Sequence, residues 1–326
     1  MTAVEHPRTA PRLYVVVPCY NEEEVLPETS RRLEKKLRSL MGQRRVSPES
    51  RVLFANDGSK DRTWELIREL HDDPAHDGLF TGISLAHNRG HQNVLFAGLM
   101  SALEHGCDAA ISMDADLQDD VNAIDEMVDA YLDGANIVYG VRNDRETDTR
   151  FKRGTAEAFY KLMSRMGTET VPNSADFRLM DAQALQALSQ YGEANLFLRG
   201  IVPSLGFQTT KVYYKRAERF AGESKYPLSK MVSLAIDGIT SFSVTPLRMV
   251  TIAGSVFVVI SLLALVYALV SLAMGTTVGG WTSLLISIWF VGGAIMVSLG
   301  IVGEYVGRIY LESKHRPRYI VAEELD

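Results

Sequence analysis

Asp114 and Asp116, one residue apart, with Asp119 and Asp120 just beyond them, are the side chains in this sequence best suited to holding a cation. They close the short apolar run Ala109-Ala-Ile-Ser-Met113, which reads as a buried strand. Two carboxylates at the mouth of a strand can hold a hard cation such as Mg²⁺ or Mn²⁺, which leaves coordination positions for phosphate oxygens. A polar turn that merely ends a strand has the same composition. The pair therefore takes its meaning from what the rest of the chain brings beside it.

The elements that must position it alternate. Leu13-Tyr-Val-Val-Val17 ends at Pro18, and Arg51-Val-Leu-Phe-Ala-Asn-Asp57 turns at Gly58-Ser59; both read as parallel strands. Residues 79–85, 109–113 and 136–141 predict three more. Between them, helices are expected from Asn21 and its acidic followers Glu22, Glu23 and Glu24 through Leu40, then over 61–70, 91–105 and near 121–132. Such alternation predicts an α/β domain with a mainly parallel sheet and helices on both faces. Ligands then lie beyond the carboxyl ends of the strands, where Asp57, His87-Asn88-Arg89 and Asp114/Asp116 all fall. His87 and His91 straddle a turn containing Gly90 and are not expected to ligate metal. Past Val141 the chain becomes basic, with Arg142, Arg145, Arg150, Lys152 and Arg153. Asp176-Phe-Arg178, Lys211-Val-Tyr-Tyr-Lys-Arg216, Arg219 and Gly222-Glu-Ser-Lys-Tyr226 follow.

The 326 residues carry a formal net charge of −6, which argues against a nucleic-acid partner. The two cysteines, Cys19 and Cys107, are expected to be buried reduced thiols. The polar N-terminal tail, 1–12, has no apolar core of a signal peptide. From Met249 to Gly303 there is no Asp, Glu, Lys or Arg. As helices rising about 1.5 Å per residue, 249–274 and 281–303 are about 39 and 35 Å long, and each exceeds a hydrocarbon core of about 30 Å. A short uncharged connector makes them a two-helix transmembrane hairpin. Arg248 stands before it, and Arg308, Lys314, Arg316 and Arg318 stand after it. The positive-inside bias then puts the N-terminal domain and the C-terminal tail, 309–326, in the cytoplasm of a multi-pass inner (plasma) membrane protein. Residues 226–246 carry apolar side chains at three- and four-residue spacing, which suits an amphipathic juxtamembrane helix or a plain packing helix. Glu304 is expected to pair with Arg308, and Trp281 to anchor at an interface. Small-residue patches at Gly292-Gly293 and Gly300/Gly303 suit a homo-oligomer.

A phosphate-and-metal carboxylate pair, basic clusters and a membrane anchor together point to a nucleotide-linked donor meeting an anionic lipid acceptor. The ordered motifs sharpen this: Val17-Pro-Cys-Tyr-Asn-Glu22, Asn56-Asp-Gly-Ser-Lys-Asp-Arg-Thr63, Asn88-Arg-Gly-His-Gln92, Met113-Asp-Ala-Asp-Leu-Gln-Asp119, Tyr139-Gly-Val-Arg142, Ser174-Ala-Asp-Phe-Arg178, Gly222-Glu-Ser-Lys-Tyr226 and Gly303-Glu-Tyr-Val-Gly-Arg308. Through them the chain resembles the family-2 glycosyltransferases of GT-A fold, specifically the polyprenyl-phosphate glycosyltransferases similar to dolichol-phosphate mannose synthase and bacterial GtrB. The resemblance covers nearly the whole chain and implies a catalytic domain over 13–225 followed by transmembrane helices within 247–308. Where many relatives continue the carboxylate motif with Pro-Pro, this chain has Asp119-Asp120-Val121, which alters the turn into the next helix and leaves the metal positions intact.

Carried over residue by residue, the resemblance implies that Pro18, Tyr20, Glu22 and Asp57 line the nucleotide pocket with Asp114. Asp116 and Gln118 would hold Mg²⁺ or Mn²⁺ on the donor diphosphate. Arg142 and Arg145, with Asp176, Arg178, Arg216, Arg219, Ser224 and Lys225, would serve catalysis and bind the acceptor or donor phosphates, since a guanidinium pairs phosphate oxygens two at a time. The acceptor phosphate is already anionic near neutral pH, so no essential general base is expected. The resemblance implies inversion at the sugar and, through GtrB, UDP-glucose as donor with undecaprenyl phosphate as acceptor. GlcNAc, mannose on GDP, aminoarabinose and a uronic acid stay open. A processive polysaccharide synthase would carry a Gln-x-x-Arg-Trp motif, which is not found. A non-catalytic membrane scaffold would have lost Asp57, Asp114 or Asp116, and all three are present.

Overall fold

The computed structural model describes residues 8–143, 171, 173–193, 196–215, 245–275 and 280–326. The chain begins with β1 (Leu13–Cys19), whose seven residues are all buried. A strand apolar on both faces belongs in the middle of a parallel sheet covered by helices, and β1 sits there. It pairs in parallel with β2 (Arg51–Asn56) on one side and β4 (Ala109–Ser112) on the other, and β2 pairs in parallel with β3 (Phe80–Leu85). The chain therefore reverses its direction of travel across the sheet between β1 and β4. In open α/β sheets that switch point opens a crevice at the carboxyl ends of the two strands.

The helices cover this sheet as their patterns require. Helix α1 (Leu26–Gly42) buries Leu26, Leu33, Leu37 and Leu40 completely, each worth about 1.5–3 kcal/mol of transfer free energy. It starts later than its acidic run predicts. Asn21 adopts φ 54° and Glu22 accepts the Val25 and Leu26 amides in a turn, because this loop is tied to the next strand's loop. Helix α2 (Thr63–Asp72) follows β2, and α3 (His91–Glu104) follows β3. Almost all of α3 beyond its first turn is buried. At Gly98 an added Cβ would stand 2.5 Å from Val16 Cγ1 and 3.1 Å from Ala55 Cβ, so glycine lets α3 press directly on β1 and β2. Helix α4 (Ala123–Leu132) leads to β5 (Ile137–Arg142).

Beyond β5 the alternation breaks. Strand β6 (Ser174–Asp181) inserts between β4 and β5 and runs antiparallel to both. Helices α5 (Ala182–Ser189) and α6 (Leu198–Ser204) follow, then β7 (Thr209–Tyr214), parallel to β5 at the sheet's edge. The final segment, expected to be a tail, ends in β8 (Val321–Leu325), antiparallel to β3 at the opposite edge. The sheet order is β7-β5-β6-β4-β1-β2-β3-β8, a mixed and mostly parallel α/β architecture. Cys19 and Cys107 are free and buried within it, as expected.

The chain divides into two compact units, and the sheet unit includes Arg316–Asp326. The other unit carries helices α7 (Thr245–Ala273) and α8 (Trp281–Ser313). Helix α8 runs past Gly303 to Ser313, further than the uncharged stretch alone predicts. Among the described residues one helical stretch, Phe290–Ser313, is long and apolar enough to cross a membrane, and Met249–Ala264 is a shorter apolar stretch. Within this unit Phe257 meets Phe290 edge to face at 5.4 Å. Glu304 and Arg308 form the expected i,i+4 pair at 3.2 Å. Large apolar side chains along both helices stand open, Leu263 at 66% and Met296 at 69%. The predicted amphipathic helix before α7 lies almost wholly outside the described residues.

Candidate functional site

The loops after β1 and β2 are stitched to one another. Asn21 N–H donates to Ser59 Oγ, Glu22 N–H to Thr63 Oγ1, and Lys60 N–H to Asn21 Oδ1, all within 3.0 Å. This fixes the backbone beneath Tyr20, which remains 39% exposed, while Pro18 is buried in β1. Asp57 is buried at 1%. Its two oxygens accept the amides of Arg89 at 2.6 Å and Gly90 at 2.9 Å. Burial pushes its carboxyl up, and those two amides pull it back. Gly58, at φ 62°, lies so close to His87 that a Cβ would come within 2.9 Å of its backbone. Asp57 and Gly58 thus clamp the loop after β3 onto the loop after β2.

Burial alternates along the loop after β4. Ala115, Leu117 and Asp119 point inward, while Asp114, Asp116 and Gln118 are partly open. Leu117 takes φ 57°, a costly conformation for a branched residue, of the kind that persists where the surroundings over-determine it. Its side chain, 3% exposed, is the anchor, and Gln118 N–H donates back to Asp116 Oδ1 at 3.1 Å. The strained turn presents Asp116 and Gln118 side by side.

The environment of this loop suits a divalent cation. Desolvation raises the Asp114 carboxyl to about 6; His91 opposes the rise, while Asp119, Asp176 and Asp116 add to it. Crowded carboxylates of this kind are relieved by a bound cation. Asp119 Oδ2 is buried with no hydrogen-bond partner among the described residues. The carboxylates are not pre-gathered into a cage. Among the described residues the one trio with ligand atoms within 4.8 Å of one another is His105, Glu324 and Asp326, at β8. A cation at Asp116 would complete its shell with substrate oxygens and water, as Mg²⁺ and Mn²⁺ commonly do.

Strand β6 brings in a second carboxylate. Its antiparallel register pairs Ser112 with Arg178, so Asp176, two residues earlier, falls beyond the carboxyl end of β4. It is 3% exposed. It accepts from Arg178 Nη2 at 2.7 Å, Arg199 Nη2 at 3.1 Å and Gln92 Nε2 at 3.2 Å, and His91 Nε2 stands 3.3 Å away. Burial opposes its charge, but Arg199, His91 and Arg178 outweigh burial and hold the carboxyl well below its usual range. His91 also faces Asp114 at 3.6 Å. Burial disfavours its imidazolium, yet Asp176 and Asp114 raise it to about 9.

Several of the expected residues have internal partners. Asp176 and Arg178 were expected to bind acceptor phosphate. Asp176 is instead an internal hub, and Arg178, 2% exposed, donates to Asp176 and to the Leu198 carbonyl. Arg142 was expected to meet phosphate. It donates to Tyr214 Oη at 3.1 Å and Asp119 Oδ1 at 3.3 Å, and Tyr214 donates in turn to Asp119. That triangle ties β5 and β7 to the metal-type loop. His91 and Arg199 lie in the site but were not picked out as ligand-binding. His91 was weighed only as a metal ligand, and Arg199 sits in no motif; its apolar neighbours gave no signal. Arg145, Arg216, Arg219, Ser224 and Lys225 lie outside the described residues.

Comparison with known proteins identifies the family. The profile described as Glycosyl transferase family 2 matches residues 14–204. The uncharacterized glycosyltransferase YkoT of Bacillus subtilis is 49% identical over 318 residues, covering 98% of this chain and 93% of that one. The bactoprenol glucosyl transferase of Shigella phage SfV is 42% identical over 319 residues, covering 96% and 99%. Among solved structures, the mannosyltransferase PcManGT from Pyrobaculum calidifontis, in complex with GDP-Man and Mn²⁺, overlaps with a TM-score of 0.41 at 16% identity, covering 94% and 86%. With its motif carboxylates at the carboxyl end of β4 and relatives matched from end to end, this chain is a glycosyltransferase and belongs to glycosyl transferase family 2.

Proposed function

We propose that the protein transfers a single glucose from UDP-glucose to undecaprenyl phosphate at the cytoplasmic face of a membrane. The observation that carries this reading is the 42% identity to a bactoprenol glucosyl transferase across nearly the whole of both chains. In this reading Asp116 and Gln118 hold Mg²⁺ or Mn²⁺, whose chemistry is to neutralise charge growing on the leaving diphosphate. Tyr20, Glu22 and Asp114 face the nucleotide, with Asp57 shaping the pocket through the loop it clamps. Asp176 is held ionised among cations and stays a positioning group. The acceptor phosphate needs no base, so catalysis rests on placement and charge neutralisation. Arg145, Arg216, Arg219, Ser224 and Lys225 are assigned to the lipid phosphate.

The membrane part of the reading is supported by the open apolar side chains on α7 and α8; so large an apolar surface needs a non-aqueous neighbour. Strand parity supports two crossings. Because β8 is hydrogen-bonded to β3, the chain before α7 and after α8 lies on one side of the bilayer. With both ends on one side, a crossing by α8 is balanced by a second crossing, which we assign to α7. The basic residues beyond α8 support a cytoplasmic position for that side.

The test supplies purified full-length protein in detergent with undecaprenyl phosphate, Mn²⁺ or Mg²⁺, and radiolabelled UDP-glucose, UDP-GlcNAc or GDP-mannose in turn. Lipid-extractable label from UDP-glucose, abolished by EDTA, is expected. No transfer from any donor, beside an active control enzyme, sinks the reading.

A further inference from the structure

The triangle of Asp119, Tyr214 and Arg142 leaves one oxygen over. Tyr214 Oη donates to Asp119 Oδ1, and Arg142 Nη2 donates to the same oxygen at 3.3 Å. Arg142 Nε turns instead to Tyr214 Oη at 3.1 Å. A guanidinium can cover both oxygens of a carboxylate at once, yet this one covers Oδ1 alone. The Asp119 side chain is 1% exposed, and its Oδ2 is buried with no hydrogen-bond partner among the described residues. A buried charged acceptor left in that state is destabilising unless something else meets it.

Its surroundings decide what that is. Asp119 follows Gln118 directly and lies beyond Asp116 across the turn at Leu117. Burial raises the Asp114 carboxyl and His91 opposes the rise, and of the neighbouring carboxylates Asp119 adds the most to it. The open oxygen therefore belongs to the same acidic group as the motif pair. A water molecule there fills the missing contact and leaves the crowded charge, whereas a divalent cation answers both. Ligating carboxylates are themselves held by hydrogen bonds from an outer layer of groups, which is what Tyr214 and Arg142 provide on Oδ1. A carboxylate oxygen suits Mg²⁺ or Mn²⁺, and together with Asp116 and Gln118 it still leaves coordination positions for diphosphate oxygens and water.

We propose that Asp119 is a further ligand of the divalent cation, through Oδ2, and that Tyr214 and Arg142 are the positioning residues that aim it. This assignment rests on the metal-dependent transferase reading above.

The experiment uses full-length protein in detergent with UDP present. Mn²⁺ binding is read by electron paramagnetic resonance as loss of the free-ion signal, against a protein-free UDP blank, with thermal melting as the check on folding. Tyr214→Phe, which keeps Oδ2, is expected to weaken Mn²⁺ binding about 10-fold, the lower end of the range for a group that orients a ligand, and Asp119→Asn about 100-fold or more. Asp119→Cys is expected to shift preference from Mn²⁺ to Cd²⁺ by at least about tenfold relative to wild type, because a thiolate selects the softer ion; a residue that merely tied strands together would not move that preference. Should Asp119→Asn fail to fold, Asp119→Glu keeps the charge beside Arg142, displaces the oxygens by one methylene and carries the test, weaker Mn²⁺ binding supporting the assignment. A folded Asp119→Asn or Asp119→Glu that binds Mn²⁺ as wild type does overturns it, as does a folded Asp119→Cys with no gain in Cd²⁺ preference. Unchanged Mn²⁺ binding in Tyr214→Phe overturns the positioning role of Tyr214. A wild type that binds no Mn²⁺ beyond the blank overturns the metal-dependent reading and this assignment together, whereas a wild type that binds Mn²⁺ and is matched by its Asp119 variants overturns this assignment alone.

Discussion

Asp116 and His91 occupy one crevice and are expected to answer different experiments. Asp116 is placed with Gln118 by a turn that forces Leu117 to φ 57°. Asp116→Asn keeps the shape and removes the charge a divalent cation needs. Turnover is expected to fall about a hundredfold or more, the scale of losing one pre-placed electrostatic group, and a Mn²⁺ titration of the variant should shift to higher concentration. His91 is expected to show itself in stability. Its folded value near 9 lies above the ordinary value of about 6.5, so its protonated form favours the folded state. That contribution is whole below about pH 6.5 and disappears as pH rises through about 9. The melting-temperature advantage of wild type over His91→Gln should therefore be largest near pH 6 and absent by pH 10. The motif carboxylates were legible from sequence because their residue types carry their chemistry. Asp57 was legible as a strand-end residue, but its use on the Arg89 and Gly90 amides was not, because a backbone partner leaves no trace in residue types.

At the scale of elements, β6 separates what pattern can tell from what pairing decides. The parallel strands β1 to β4 announce themselves as apolar runs followed by helices. Strand β6 reads Ser-Ala-Asp-Phe-Arg-Leu-Met-Asp, and the charges at its third and fifth positions disguise a buried strand. Asp176 and Arg178 are tolerated there because each neutralises the other. Removing one partner of such a pair leaves a buried charge and costs about 3–5 kcal/mol. Asp176→Ala is expected to lower the unfolding free energy of the sheet unit by that amount. Asp176→Leu combined with Arg178→Met should recover much of it, a double-mutant cycle read by denaturant melts. On the other face, α3 depends on Gly98. Gly98→Ala places a Cβ 2.5 Å from Val16 Cγ1 and should cost about 1–3 kcal/mol of overpacking, while Gly42→Ala, with nothing within 4 Å, should not destabilise.

For the whole molecule, the central question is how many times the chain crosses the membrane. Uncharged length alone predicted two spans, and the described helices retain one stretch that meets both length and apolarity. The pairing of β8 with β3 is what favours the proposed second crossing, and it was illegible beforehand because Val-Ala-Glu-Glu-Leu resembles a solvated tail. Single cysteines introduced at Gly42, Gly280 and Arg316 in a chain with Cys19 and Cys107 replaced by serine test it with a membrane-impermeant thiol reagent. Positions 42 and 316 should label from one face and position 280 from the other; a shared face for 280 and 316 would remove the hairpin.

Strand β8 also sets an order of events. The edge of β3 that it covers is made early, but β8 follows both long helices in the chain. Until those helices have been synthesised, β3 presents unpaired amides and carbonyls, the kind of edge that recruits other chains. Sheet completion therefore waits for residues made after both helices, and a chain terminated between Ser313 and Val321 would keep an adhesive edge at β3.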